Sequence, residues 1–103
     1  MEKVVDFRSP MPDLEQKVEP YLRLMERFAT RALPVHDFER AYLETFDDDG
    51  ARWPEPIYRI LNEVFLDVDA FNPYPDGRNE LDIDEAELRV RVERSLAALR
   101  RAV

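Results

Sequence analysis

The chain of 103 residues has no cysteine, a single histidine (His36), a single tryptophan (Trp53) and two glycines, Gly50 and Gly77. Without cysteine there is no disulfide framework, no thiolate metal site and no thiol nucleophile, a usage that fits a reducing compartment. One histidine excludes a two-histidine metal site. Leu33 stands where a Glu-x-x-His pair ending at His36 needs its glutamate, so a carboxylate-bridged dimetal bundle lacks its ligands. Two isolated glycines exclude a glycine-rich phosphate loop. No apolar run approaches the roughly 18 residues of a membrane span, and the opening from Met1 to Arg8 is too charged for a secretory signal. The expectation is a cytoplasmic protein with no membrane partner, no metal and no cofactor. Asp67 and Asp69 look like the opening of an EF-hand loop, but that frame puts Phe71, Asn72 and Arg78 at its fifth, sixth and twelfth positions, where calcium coordination fails.

What the chain does have is a block of acid. Between Glu63 and Glu87 lie nine acidic residues and one base, Arg78, a net charge of −8 that equals the formal charge of the whole chain. Such a block repels itself, so a fold that keeps it points to a cationic partner. Asp67 and Asp69 fall near the C-terminal end of a helix, where the macrodipole disfavours anions, and Glu63 and Asp67 form an i, i+4 like-charge pair. Asp82, Asp84, Glu85 and Glu87 sit instead at a helix start, where negative charge is stabilising. The arginines Arg89, Arg91, Arg94, Arg100 and Arg101 are interleaved with Glu87 and Glu93, which reads as a solvated helix face rather than a nucleic-acid footprint.

Hydrophobic residues make up 45% of the chain, enough for one modest core. Residues 1–12, with Pro10 and Pro12, read as an N-terminal arm, and 13–103 as one domain. Leu14, Val18, Tyr21, Leu22, Met25, Phe28, Ala29 and Ala32 form a first apolar stripe with Asp13 as N-cap; Pro20 inside it moves the start of regular helix towards Glu19. Phe38, Ala41, Tyr42, Thr45 and Phe46 make a second stripe, ended by Asp47 to Gly50. Ile57, Ile60, Leu61, Val64, Phe65, Val68 and Phe71 make a third, with Pro54 in its first turn and Phe65 among the core rings. In the fourth, Asp84 and Glu87 spell a capping box, Ile83 can staple onto Leu88, and Leu88, Val92, Leu96, Leu99 and Val103 follow. The fold class is all-α, a compact antiparallel four-helix bundle.

Three stretches carry a resemblance: Phe38 to Phe46, Leu61 to Phe71, and the turn at Asp76 and Gly77 continuing into Leu81 to Val92. Together they resemble the bacterial self-protective colicin-like immunity proteins over roughly Pro20 to Ala102. The resemblance implies a small helical domain that performs no chemistry, binds the nuclease domain of a cognate toxin, typically one that cuts tRNA, and covers its basic cleft with carboxylates standing in for RNA phosphates. The toxin would be delivered by a bacteriocin or contact-dependent system. The matching toxin-facing positions are Asp67, Asp69, Asp76, Glu80, Asp82 and Asp84. Glu63 extends that face, and Phe71 and Tyr74 are candidate aromatic anchors. The expected assembly is a monomer bound one to one to toxin, with no direct nucleic-acid contact. The alternative is a helical adaptor that binds a basic peptide or protein.

Overall fold

Helical periodicity in the sequence becomes four helices in the computed structural model, which describes residues 12–77 and 79–103: α1 (Pro12–Ala29), α2 (Val35–Asp48), α3 (Glu55–Ala70) and α4 (Glu85–Ala102). Of the expected N-terminal arm, residues 1–11 lie outside the described residues, and Pro12 already belongs to α1. Helical structure at Pro12 places Asp13 inside the first turn rather than at the cap. Pro20 does not delay the helix either. It is exposed, as is Gln16, so the carbonyl that loses its amide partner lies on the solvent side, while Val18 and Tyr21 anchor the chain on the core side.

Proline serves the other helix starts. Pro34 and Pro54 occupy the N-cap positions of α2 and α3 in extended geometry, so Pro54 stands one place before the first turn expected for it, and Pro56 falls within that turn. Asp84 caps α4 through its side chain, accepting from the Glu87 amide at 2.8 Å. The Glu87 carboxylate turns to Arg91 Nε (2.9 Å), where a reciprocal capping box would have sent it back to the cap. At the end of α1 the carbonyl of Arg27 accepts from the amides of Ala32 and Leu33, and Arg31 takes the left-handed conformation (φ 68°) usually left to glycine.

The helices form a closed ring of neighbours, α1 against α2, α2 against α3, α3 against α4 and α4 against α1, giving an antiparallel four-helix bundle. Each stripe meets at the centre: Val18, Tyr21, Met25 and Phe28 from α1; Phe38 and Tyr42 from α2; Ile57, Leu61, Val64 and Val68 from α3; Leu88, Val92, Leu96 and Leu99 from α4. Burying side chains of this size stabilises by about 1.5–3 kcal/mol each. Phe28 and Phe38 stack at 4.5 Å, and the Tyr42 hydroxyl donates to the Leu61 carbonyl (2.8 Å), so its polar tip is satisfied inside the core. Phe65 is only partly buried, stacked on Phe46 at 4.9 Å along the α2–α3 edge.

Two polar knots fasten the ends. Asp49, just past α2, accepts from the Tyr21 hydroxyl (2.5 Å), the Trp53 indole (2.9 Å) and the Ala51 amide (2.8 Å). Burial by itself would raise the Asp49 carboxyl, but these three donors outweigh it and hold the group below the usual carboxylate range. At the opposite end Arg89 is buried over the Phe28 ring, 4.4 Å from its centre, and donates to the Phe28 carbonyl (3.1 Å) and to Glu85 (3.0 Å).

Candidate functional site

The acidic block is assembled from the C-terminal half of α3, the loop from Phe71 to Asp84 and the first turn of α4, all at one end of the bundle. The loop is not slack. Phe71 and Ile83 form an isolated parallel bridge, in which the Asn72 amide donates to the Ile83 carbonyl (2.9 Å) and the Ile83 amide to the Ala70 carbonyl (3.0 Å). Inside it the Asn72 side chain donates to Asp82 (3.1 Å) and to the Gly77 carbonyl (3.2 Å), across a short 3-10 turn at Pro75–Gly77. Asp82 also accepts from the Asn79 amide at 3.1 Å.

These contacts sort the acids by what they do. Asp67 turns inward, 7% exposed, and bonds Arg91 on α4 at 3.1 Å. Burial pushes its carboxyl above the usual range, Glu63 and Glu87 push the same way, and the Arg91 hydrogen bond and charge only partly offset them. Arg91 also holds Glu87, and Arg89 holds Glu85. Asp82 staples the loop and Asp84 caps α4. Glu63, Asp69, Asp76 and Glu80 remain exposed and form no ion pair with any described residue. Glu63 and Asp69 stand on α3, Asp76 and Glu80 on the loop.

The two candidate anchors part company. Phe71 is 7% exposed and its ring faces His36 at 6.0 Å, part of the core rather than the surface. Tyr74 is 71% exposed. Three apolar residues without a role in any stripe, Leu66 on α3, Leu81 on the loop and Val90 on α4, are also exposed, Leu81 at 85%. A signal for Leu81 was available. It lies between Glu80 and Asp82 in a segment with no helical register, so no stripe could claim it.

Between α3 and α4 runs a cleft lined by Ile60, Glu63, Asp67, Glu87, Arg91 and Arg94. It holds acids and bases in close alternation, with Ser95 and Ala98 completing its lining. Among the described residues no group of three or more His, Asp or Glu side chains converges as a metal cage, and no helix is long and apolar enough to cross a membrane.

The chain is thus a small all-α bundle with a hydrogen-bonded, acidic loop at one end. The model of the bacterial self-protective colicin-like immunity family matches residues 17–99, and the chain belongs to that family. Its members are inhibitors, so the activity is neutralisation of a cognate toxin. No curated protein and no solved structure matches the chain.

Proposed function

We propose that the toxin is a ribonuclease, of the kind that cuts tRNA, and that this chain neutralises it in the cytoplasm by laying the α3 end, the loop and the start of α4 over its basic cleft. Bacteriocin or contact-dependent delivery and a one-to-one complex with a monomer of this chain belong to the same reading. The observation that carries it is the set of four exposed carboxylates that form no ion pair with any described residue, Glu63 and Asp69 on α3 and Asp76 and Glu80 on the hydrogen-bonded loop. A cleft built to hold a polyanion presents several cations at phosphate spacing, and fixed carboxylates can occupy it without being cut. In this arrangement Asp67, Asp82 and Asp84 support the face through their bonds to Arg91, Asn72, Asn79 and the α4 cap. The chain itself performs no chemistry.

The test asks whether a neighbouring gene encodes a toxin and titrates the chain against that toxin's C-terminal domain, read as loss of nucleic-acid cleavage, with tRNA and DNA as parallel substrates. Stoichiometric inhibition of tRNA cleavage supports the proposal; inhibition of a DNase or of a pore-forming toxin refutes the ribonuclease assignment. Replacing Asp69 and Asp76 by Asn should slow association and flatten its salt dependence, whereas Glu15 and Glu44, exposed on α1 and α2, should be replaceable by Gln with little effect.

A further inference from the structure

We infer that Tyr74 and Leu81 form an apolar two-point probe on the loop, which inserts into a recess on the cationic face of the toxin and determines which toxin is held; this rests on the toxin-binding reading above. Leucine at 85% exposure and tyrosine at 71% have no role in the core. Both stand on the one segment that is tied across itself, and each is tied at its own amide: Tyr74 N donates to Asn72 Oδ1 (3.0 Å) and Leu81 N to Asn79 Oδ1 (3.2 Å). The two asparagines that hold them are held in turn, Asn72 by its side chain and Asn79 by its backbone, since Asn72 Nδ2 and the Asn79 amide both donate to Asp82 Oδ2 at 3.1 Å. The two apolar groups are therefore displayed on a prepaid frame, the condition under which exposed apolar area converts into binding energy rather than into ordering cost.

The occupant follows from charge. Asp76, Glu80 and Asp82 share the loop with the two side chains. An anionic lipid surface or a second copy of this chain would bring like charge against them, and a cationic protein face would not. The carboxylates and the apolar pair then have separable duties. Carboxylates accelerate encounter and are shared by any inhibitor of a basic nuclease; the apolar pair sets dissociation and discriminates among them.

The experiment uses the full chain and a catalytically inactive form of the toxin domain it neutralises, with rates measured across salt concentration. Leu81→Ala and Tyr74→Ala should each speed dissociation about tenfold, leaving association rate and its salt dependence unchanged, as expected for buried anchors in an interface. Asp82→Asn should speed dissociation as well by loosening the frame. Thermal melts of the Leu81→Ala and Tyr74→Ala chains should match wild type, since neither side chain is packed. Wild-type binding that weakens with Asp69→Asn and Asp76→Asn but not with Leu81→Ala and Tyr74→Ala overturns this inference alone. No binding by the wild-type chain overturns the function proposed above. A concentration-dependent dimer abolished by Leu81→Ala, with toxin dissociation unchanged, would assign the pair to self-association and refute the inference equally.

Discussion

Arg91→Ala is the substitution whose consequence depends most on the buried carboxylate beside it. In the wild-type chain Arg91 bonds Asp67 at 3.1 Å and Glu87 at 2.9 Å, with 38% of its own side chain exposed. Glu87 can return to solvent when the guanidinium is lost. Asp67 cannot, and it keeps Glu63 and Glu87 as neighbours of like charge. Stranding one partner of a fully buried pair costs about 3–5 kcal/mol; here the pair is partly open and Asp67 can take a proton, so the expected loss at neutral pH is about 1–3 kcal/mol. The pH dependence separates this from simple lost packing. Folding raises the Asp67 pKa, so the penalty of the ionised carboxylate is fully present above the folded pKa and is relieved as pH falls through it towards the unfolded value of about 3.9. Removing Arg91 raises the folded pKa further. The deficit of Arg91→Ala against wild type should therefore be largest near neutrality and shrink on acidification, measured by urea unfolding at stepped pH. Asp67→Asn runs the other way: with the buried charge gone and Arg91 still on Glu87, stability should equal wild type or exceed it by up to about 1 kcal/mol, the sum of dipole and like-charge relief. A deficit for Arg91→Ala that is constant or grows as pH falls, or a clear loss of stability in Asp67→Asn, would refute the reasoning.

The remaining predictions concern the two ends of the bundle. Tyr21→Phe removes one of the three donors to Asp49 and should cost about 1 kcal/mol at neutral pH. Because Asp49 is held low in the folded chain, its contribution is present above the unfolded carboxylate pKa and is lost as pH falls through the folded value, so the difference between Tyr21→Phe and wild type should vanish in acid; Trp53 fluorescence, beside the same carboxylate, reports the unfolding. Arg31→Gly should raise stability by about 0.5–1 kcal/mol in denaturant titration, since glycine takes the left-handed φ without a Cβ penalty and part of that gain is offset by the freer unfolded chain. Unchanged or lowered stability would mean that the Arg31 side chain contributes more than its backbone costs.

Helix existence was legible in this chain because a period of three and four survives any tertiary context, and the Asp84 cap was legible because a capping residue acts within four positions of itself. Pro20 was misread for the converse reason. A proline's cost depends on whether the carbonyl it orphans faces solvent or core, and only the assembled bundle places Gln16 and Pro20 on the outside. The acidic block shows the same limit at the site. From neighbours alone, Asp67 and Asp69 are equivalent: both are anions near the end of α3. Yet 24 residues further along, Arg91 reaches back across the α3–α4 cleft and takes one of them inward, leaving the other exposed. Local rules therefore identified a strained acidic segment but could not divide it into carboxylates that brace the frame and carboxylates that face a partner. That division determines how this chain's mutants must be interpreted. Loss of neutralisation on changing Asp67 or Asp82 is ambiguous between contact and support, because both hold the surface in place. Asp69, Asp76 and Glu80, which form no ion pair with any described residue, can report the electrostatics of the interface without disturbing the Asp67–Arg91 pair, whereas Glu63 lies beside Asp67 and acts on its carboxyl.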